Sequence, residues 1–400
     1  MKKIIRLAAK GDGVDDAGGF HRLAVPGDTI GADGAIIRGP DHVEPPCRHF
    51  GSCGGCELQH CSEGVLREFV RNRVVNVAMG HELDPQEMLE VHLSPPSARR
   101  RAKLHGLRTK NGAVLGYKAA GSHKIVDAHE CHVIAPAIGA LLCSLRKLIA
   151  QYGPRNGIEA MLSLCDQGVD LALAHFPFEG LAATEALTEF AKDHVLARVT
   201  VEQGYGPETV WEPEPVTVGF AGFAVPMPPG AFLQATPDAE HRLVEDACAW
   251  MGDARITADL FAGLGTFAFA LARAGVSNRK VLAVEADRAA HLACKAASAQ
   301  TGGAVLTLHR DLFRNPLQAD ELNKFHGVLL DPPRAGAKAQ IAQIAQSDLG
   351  RVVYVSCNPS SWARDGAVLK QAGFALKSLR PVGQFRWSTH VELVSLFERG

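Results

Sequence analysis

The stretch RITADLFAGLGTFAFALARAG, residues 255–275, indicates the fold class of this chain. An apolar segment with strand character runs into a turn that contains Gly263 and Gly265, and a segment with helical character follows. Glycine at such a turn lets the backbone approach a ligand closely and leaves amides free at the N-terminus of the helix. Tight turns between a strand and a helix also need glycine for structural reasons alone. The stretch therefore predicts a strand–turn–helix unit whose turn is a candidate ligand site.

The same alternation of strand and helix continues to the C-terminus, through KVLAVEAD, GAVLTLHRDLF, GVLLDPPR, RVVYVSCNP and HVELVSLF. It predicts an α/β fold with a doubly wound, Rossmann-like parallel sheet over residues 226–400. Glu285, Asp311 and Asp331 end or follow three successive strands, and ligands of such sheets bind outside the carboxyl ends of the strands. We therefore expect a nucleoside-containing cofactor at this edge. Ala268 replaces the third glycine of the dinucleotide fingerprint, which weakens the case for NAD.

The residues before this sheet divide into two further regions. Residues 1–45 contain short strand-like segments broken by Gly, Asp and Pro, which is typical of a small all-β module. Residues 46–225 begin with a cluster of cysteines and continue as a mixed α+β central domain. Because 400 residues exceed the usual size of one hydrophobic core, this division into domains also agrees with the chain length.

The composition excludes several classes of protein. With 46% hydrophobic and 21% charged residues, no apolar run long enough to cross a membrane and no signal peptide, the chain is expected to be cytoplasmic. Ten cysteines in such a chain indicate metal binding or catalysis rather than a disulfide framework. The net charge of −1 means that any nucleic acid must be bound by a local concentration of positive charge.

Three C-terminal motifs carry side chains suited to catalysis. Asp331-Pro-Pro-Arg fixes two φ angles and predicts a rigid platform for a flat ring, as in a base methyltransferase, unless the prolines only end the strand. In VSCNPSSW, residues 355–362, Cys357 ends an apolar strand where Asn358-Pro359 must turn the chain. It is a candidate nucleophile, which requires an accessible and partly ionised sulfur, or else a buried structural cysteine. Glu392 stands alone in an apolar strand and needs either a partner or an exposed edge position.

Together with GAFLQAT at 230–236, the motifs DLFAGLGTF, DPPRAG, VYVSCNPSSWARD and HVEL resemble the S-adenosylmethionine-dependent RNA 5-methyluridine methyltransferase family in sequence and in order. The resemblance implies that Cys357 adds to carbon 6 of uracil and that Glu392 removes the proton from carbon 5 after methylation. Gln234 is either a ligand of the cofactor or uracil, or a capping residue of the following helix. The implied S-adenosylmethionine site comprises Gln234, Phe261, Gly263, Gly265, Thr266, Glu285 and Asp331, with Asp311 near the adenine; the family often has Asn where Thr266 stands.

The cysteine cluster CRHFGSCGGC, residues 47–56, spaces Cys47, Cys53 and Cys56 for a metal centre. A fourth ligand is needed, and Cys61 is the simplest candidate within the segment. The spacing by itself leaves zinc and an iron–sulfur cluster open. The family resemblance implies instead that Cys131, in VDAHECHVI, is the fourth ligand of a structural 4Fe–4S cluster.

RNA is the partner that the resemblance implies. SARRRAKLHGLRTK, residues 97–110, alternates like a strand and would direct cations to phosphates, although a solvated charged face would look the same. The first 45 residues resemble a shortened RNA-binding TRAM module. This module and the cysteines are similar to those of ribosomal RNA members, so 23S ribosomal RNA is expected and tRNA is the alternative. We expect a monomer.

The sequence leaves open two functions other than methylation of uridine. Methylation of a purine amino group would use the DPPR platform but would leave Cys357 and Glu392 unexplained. A non-catalytic RNA-binding assembly factor could retain the cofactor fold, but it would not need a nucleophile and a base. The sequence has few aromatic residues and does not show which of them would stack a base turned out of the RNA.

Overall fold

The structure is a computed structural model that describes residues 1–177 and 180–400. Its N-terminal part is a five-stranded antiparallel sheet in the order β3-β2-β1-β4-β5, which agrees with the predicted β module. The module has a small core of its own around Ile4, Ala24 and Ile30. Its strands are β1 (Lys2–Leu7), β2 (Gly13–Asp15), β3 (Phe20–His21), β4 (Thr29–Ile30) and β5 (Ile36–Ile37).

After the cysteine segment comes the helix α1 (Glu63–Gly80), which begins where the Ser62 hydroxyl accepts a hydrogen bond from the Val65 amide. Two short strands follow, β6 (Glu87–Met88) and β7 (His92–Leu93). All three elements pack on the C-terminal half of the chain: α1 contacts a C-terminal helix, and both strands pair with a C-terminal strand.

The central region is a six-stranded sheet in the order β13-β12-β11-β10-β8-β9, with α2 and α3 packed on it. In β8 the apolar Ala102 and Leu104 point into the core and alternate with the exposed Lys103, as predicted for this stretch. The elements are β8 (Arg101–Thr109), β9 (Gly112–Gly116), α2 (Pro136–Tyr152), β10 (Ile158–Cys165), β11 (Gly168–Ala174), α3 (Leu181–Asp193), β12 (Arg198–Glu202) and β13 (Pro207–Trp211).

The C-terminal region contains a nine-stranded sheet, entered through a hairpin and a helix. The helix α4 begins at Pro237, where the Thr236 hydroxyl accepts a hydrogen bond from the Ala239 amide. The elements are β14 (Thr217–Phe220), β15 (Phe223–Pro226), α4 (Pro237–Met251), β16 (Ile256–Leu260), α5 (Thr266–Arg273), β17 (Lys280–Glu285), α6 (Arg288–Ser298), β18 (Val305–His309), α7 (Ala319–Leu322), β19 (Gly327–Leu330), α8 (Lys338–Gln346), β20 (Arg351–Ser356), α9 (Pro359–Gln371), β21 (Phe374–Gly383) and β22 (Glu392–Arg399).

The sheet order is β18-β17-β16-β19-β20-β22-β21-β6, with β7 also paired to β21. The strands from β18 to β20 are parallel, and β22 runs antiparallel to both of its neighbours. Helices α1, α8 and α9 pack in one hydrophobic cluster, and α4, α5 and α6 pack in another. The sheet is thus covered on both faces, which confirms the predicted doubly wound α/β fold.

Candidate active site

The predicted site residues of the C-terminal region meet at one edge of the sheet. Phe261, Asp331 and Cys357 each follow the last residue of a parallel strand, and Glu285 is the last residue of another. Because parallel strands end at the same edge, residues separated by almost a hundred positions come together there.

The glycine turn between β16 and α5 is held in a conformation that few residues could adopt. Gly265 has φ of 92°, and a Cβ atom there would lie 2.7 Å from the Phe269 ring, so only glycine fits. Phe261 also has a positive φ, of 65°, which is rare for an aromatic residue. The Glu285 carboxylate accepts a hydrogen bond of 2.8 Å from the Gly263 amide. Glu285 therefore fixes the turn as well as facing the edge where a cofactor would bind.

Two of the predicted cofactor residues lie further from this turn. Thr266, the first residue of α5, lines a separate cavity between the β14–β15 hairpin, α4 and α5. Asp311 follows β18, and its carboxylate accepts a hydrogen bond of 2.9 Å from the Phe313 amide. The Phe313 ring lies 5.4 Å from the Phe261 ring. Asp311 thus shapes a loop next to an aromatic pair at the strand ends.

A chain of amides connects Gln234 to the motif DPPR. The Gln234 side chain donates a hydrogen bond of 3.0 Å to Asp331 and accepts one of 3.3 Å from Gln384. Thr236, and not Gln234, caps the helix α4, so the alternative role for Gln234 does not apply. Burial, together with the nearby charge of Glu392, raises the pKa of Asp331 well above its usual value. An amide donor is therefore placed beside a carboxyl group that resists ionisation.

Cys357 and Glu392 lie close together where β20 and β22 meet. Glu392 begins β22 and is only 5% exposed, and since β22 lies between β20 and β21, the alternative of an exposed edge is wrong. Burial raises the pKa of Glu392 to about 7, against the opposing effects of Gln384 and Arg334. Burial and the charges of Glu392 and Asp331 raise the pKa of Cys357 to about 12. A thiol with this pKa is protonated near neutral pH, so the partly ionised thiol that the sequence argument requires needs further positive charge nearby.

Arg334, from DPPR, is a residue whose part in the site the sequence did not reveal. Its guanidinium donates a hydrogen bond of 3.0 Å to Nδ1 of His390, and its positive charge lowers the pKa of both Cys357 and Glu392. The Asn358 side chain donates to the Arg334 carbonyl, so the turn after Cys357 also orients the DPPR segment. The signal in the sequence that could have identified Arg334 as a site residue was its position directly after the two prolines of DPPR.

A cavity of about 500 Å³ joins this edge to the other parts of the chain. Its wall carries exposed or half-exposed aromatic and basic groups, including Phe232, which is 64% exposed with its ring 4.8 Å from the Arg101 guanidinium. Such a surface can hold a planar base and phosphate groups. The residues that line it and that bear on function are Gly55, Glu57, Arg99, Arg101, Lys103, Tyr117, Phe232, Arg334, Cys357, Gln384, Phe385, His390 and Glu392.

The basic stretch of residues 97–110 divides into a structural and an accessible part. The Arg100 side chain is buried, pairs with Glu240 and donates to the Gln234 carbonyl, so it joins the central region to the C-terminal region. Arg101 and Lys103 line the cavity, where Lys103 pairs with Glu159 at 2.7 Å. Contact between these cations and phosphates stays a prediction, whereas the contact that Arg100 makes between two regions was not foreseen.

A second, smaller cavity collects the cysteines. Cys47, Cys53, Cys56 and Cys131 all line it, whereas Cys61 is buried in the main hydrophobic core. Burial raises the pKa of Cys56 to about 12, and the nearby Cys131 contributes to this rise. The structure thus brings Cys131, and not Cys61, to the other three sulfurs. Gly55, Arg99 and Tyr117 line both this cavity and the one that contains Cys357.

The four cysteines fit a thiolate-bound centre in number and type, since both a 4Fe–4S cluster and a structural zinc take four such ligands. Over residues 1–177 and 180–400, however, no group of three or more His, Cys, Asp or Glu side chains is arranged to hold a metal ion. The four cysteines therefore line one cavity, but over the described residues their sulfur atoms are not at the distances of a closed metal site.

Within the described ranges, no helix is both long enough and apolar enough to cross a membrane. The helices instead bury their apolar faces against the sheets.

Comparison with known proteins identifies the family. Residues 222–399 match the family model described as tRNA (Uracil-5-)-methyltransferase. A Zymomonas mobilis protein named as an uncharacterized RNA methyltransferase is 46% identical, with 100% of both chains covered. The 23S rRNA (uracil(1939)-C(5))-methyltransferase RlmD of Halomonas elongata is 31% identical over 94% of this chain and 81% of its own.

A solved structure supports the fold. The tRNA (uracil-54, C5)-methyltransferase of Pyrococcus abyssi, in complex with S-adenosyl-L-homocysteine, superimposes with a TM-score of 0.74, at 20% identity over 99% of this chain and 100% of that one. At 20% identity the match supports the fold alone. The relatives at higher identity, together with the matched motifs, show that the chain belongs to the family of S-adenosylmethionine-dependent RNA uracil-C5 methyltransferases.

Proposed function

We propose that this protein methylates carbon 5 of a uridine in 23S ribosomal RNA through a covalent bond between Cys357 and carbon 6 of the uracil. The observation that carries the proposal is the shared cavity, in which a cysteine at a strand end lies beside a buried carboxyl group. Cys357 and Glu392 are the nucleophile and the base that the reaction requires.

The chemistry follows from these two side chains. S-adenosylmethionine supplies an electrophilic methyl group when it is bound. The Cys357 thiolate adds to carbon 6, and the electron pair of the 5,6 double bond makes carbon 5 nucleophilic enough to accept that methyl group. Glu392 then takes the proton from carbon 5, the double bond re-forms and the carbon–sulfur bond breaks. A pKa of about 7 suits Glu392 to this step, because a general base acts best near the working pH.

Ionisation of the Cys357 thiol needs positive charge close by. Arg334 already lowers the pKa of this thiol, while Glu392 and Asp331 raise it. A bound sulfonium cation would act in the same direction as Arg334, so bound cofactor would favour the thiolate. This coupling would protect a buried cysteine from reaction in the absence of substrate.

The cofactor would bind along the strand ends. Gln234 and Asp331 offer a linked amide and carboxyl group, and Phe261, Glu285 and the turn at Gly263 and Gly265 provide an apolar wall, an acceptor and backbone amides. Asp311 would lie toward the adenine side. Thr266 would contribute through its backbone rather than its hydroxyl, since its side chain lines the separate cavity.

For the cysteine cavity we propose a 4Fe–4S cluster held by Cys47, Cys53, Cys56 and Cys131. The four sulfurs around one cavity support this assignment, and the burial of Cys61 in the main hydrophobic core makes it a poor fourth ligand. The cluster would act as a structural element, because neither of the reacting side chains belongs to it. Zinc is the competing metal.

The RNA substrate is proposed from the relatives of this chain. The RlmD relative favours 23S ribosomal RNA, whereas the description of the family model names tRNA, which makes tRNA the second candidate. Arg101 and Lys103, which line the cavity, would contact phosphates beside the target uridine. No observation favours purine methylation or a non-catalytic role. A cytoplasmic location and a monomeric state remain predictions.

Covalent trapping tests the mechanism. Wild-type protein with S-adenosylmethionine and 23S RNA fragments containing 5-fluorouridine should give a stable adduct, because the fluorine on carbon 5 cannot leave as a proton. Cys357→Ala should form no adduct and should lose methyl transfer by about 10⁴-fold or more. The exposed Cys143→Ala, on α2, is the matched control and should behave like wild type. Methyl transfer by Cys357→Ala at the normal rate would refute the mechanism, and mapping of 5-methyluridine in ribosomal RNA and tRNA from a deletion strain identifies the substrate.

A further inference from the structure

The turn that leads into the catalytic strand β22 is held in a disfavoured conformation. Trp387 has φ of 63°, although bulky aromatic residues avoid positive φ, and it is only 8% exposed. A conformation of this kind persists only where surrounding contacts fix it. Glu392 follows only five residues later, so the turn determines where this carboxyl group enters the cavity.

The contacts that fix this turn come from the cysteine segment. The backbone amides of Glu57 and Leu58 donate hydrogen bonds of 2.8 and 2.9 Å to the Trp387 carbonyl. The Glu57 carboxylate in turn accepts a hydrogen bond of 3.3 Å from the Thr389 amide. Glu57 directly follows Cys56, one of the proposed cluster ligands. Glu57 and Leu58, which directly follow the cysteine cluster, therefore bind the turn on both sides of Ser388.

The N-terminal side of the same turn is anchored independently. The Arg386 guanidinium donates to the Ser94 carbonyl at 3.0 Å and to Glu63 at 3.2 Å, and Gln384 accepts a hydrogen bond from the Ala235 amide. Residues before Trp387 are thus held by other parts of the chain. Within the turn, the Ser388 amide donates to the Phe385 carbonyl, whereas Glu57 and Leu58 bind the Trp387 carbonyl and the Thr389 amide from outside the turn.

We propose that Glu57 is a positioning residue: its carboxylate holds the Thr389 amide and thereby sets the approach of Glu392 to carbon 5 of the bound uracil. The inference rests on the proposed role of Glu392 as the base. Only two residues lie between Thr389 and Glu392, so release of the Thr389 amide would let the start of β22, and with it the Glu392 carboxyl group, shift. A misplacement of about 1 Å can slow a proton transfer up to a hundredfold.

Two substitutions of Glu57 separate hydrogen bonding from bulk and charge. Glu57→Ala removes the acceptor, whereas Glu57→Gln keeps an amide oxygen that can accept from Thr389. The exposed Glu68→Ala, on α1, is the matched control. In single-turnover experiments with unmodified RNA, Glu57→Ala should form the adduct normally and resolve it about tenfold or more slowly. Glu57→Gln should restore resolution to within about twofold, since a hydrogen bond between neutral groups retains the geometry.

Trp387 provides a second measurement that does not depend on turnover. Its fluorescence, obtained as the difference between each protein and the same protein with Trp387→Phe, should shift to longer wavelength in Glu57→Ala, because a loosened turn admits water. Glu57→Gln and Glu68→Ala should show no shift. The emission is recorded with and without bound iron, so that a variant with a reduced iron content is still tested in the metal-free form.

The outcomes distinguish a failure of the role inferred for Glu57 from a failure of the proposed base, Glu392. Normal adduct resolution and unchanged Trp387 emission in Glu57→Ala would overturn it. A raised KM for RNA with normal resolution would also overturn it, because Glu57 lines the cavity and would then be a direct substrate contact. If Glu392→Gln fails to accumulate adduct, the proposed base is wrong. If Glu392→Gln accumulates adduct and Glu57→Ala does not, only the role of Glu57 is wrong.

Discussion

The strand-end edge with Cys357 and the cavity with the four cysteines are two sites built in different ways. The first takes its residues from the ends of neighbouring parallel strands, so sheet topology alone brings Phe261, Glu285, Asp331 and Cys357 together. The second combines a loop of residues 47–56 with Cys131, which lies 75 positions further on in a segment before α2. Regular secondary structure positions one site and loop contacts position the other.

This difference predicts how the two sites respond to change. Backbone hydrogen bonds of a nine-stranded sheet hold the first site, so a conservative substitution there should alter chemistry and leave the fold intact. Loop segments and side chains hold the second, so loss of one sulfur should change local structure as well as binding. The turn at Trp387 connects the two and should report on both.

The largest expected effect tests the chemical part of the comparison. Glu392→Gln should slow overall turnover by about 10²- to 10⁴-fold, because an amide cannot remove the proton from carbon 5. Methyl transfer to the bound uracil should still occur, so the covalent RNA complex should accumulate on denaturing gels. Unfolding temperature is the control and should stay near that of wild type. Fast turnover with no trapped complex would show that another group is the base.

The next effect tests whether the cysteine cavity is one site. Cys131→Ser should lower the affinity for the cluster by about tenfold or more and remove most of the bound iron, since the hydroxyl is a poor substitute for a thiolate. Cys61→Ser is the matched control, because Cys61 is buried away from that cavity, and it should retain iron. Iron content and visible absorption of anaerobically prepared protein measure the result. Loss of iron in Cys61→Ser alone would assign the fourth ligand to Cys61.

A third effect, on stability rather than on activity, tests the contact between the central and C-terminal regions. Arg100→Met leaves Glu240 buried without its partner and should lower the free energy of unfolding by about 3 kcal/mol. Lys103→Met, two residues away, breaks a half-exposed pair with Glu159 and should cost less than about 1 kcal/mol while weakening RNA binding. Denaturant titration and RNA binding at two salt concentrations measure the pair of variants. Equal stability of the two variants would contradict the structural role of Arg100.

The last effect is a dependence on pH that belongs to the strand-end edge with Glu392. Burial raises the pKa of Glu392 to about 7, so the carboxylate is present above that pH and is lost as the pH falls through it. One pH unit below the pKa, about a tenth of Glu392 is ionised, and resolution of the adduct should be about tenfold slower than at its plateau. The rate of product release in single-turnover experiments measures this. A flat profile between pH 6 and 8 would place the titrating base elsewhere, and Glu392→Gln should remove the dependence.

The sequence predicted the positions of site residues correctly where a local strand–helix pattern determines them. The alternation of strands and helices placed Gly263, Glu285, Asp331 and Cys357 at strand ends, and the structure has them at one edge. The same reasoning missed Arg334 as a partner of Cys357 and did not foresee that Arg100 joins two regions. Both roles depend on residues far away in the chain, which no spacing in the sequence reveals.

The sequence by itself determined the order of the elements and the presence of a cysteine-rich segment, because these follow from hydrophobic period and turn residues. Its motifs showed the family resemblance from which the roles of Cys357 and Glu392 are proposed. Only the tertiary structure showed that Cys131 lines the same cavity as Cys47, Cys53 and Cys56, and that burial raises the pKa of the Cys357 thiol. It also showed that Glu57 holds the turn before Glu392. The physical reason is that burial, electrostatic neighbours and loop contacts are set by groups distant in sequence, whereas strand and helix patterns are local.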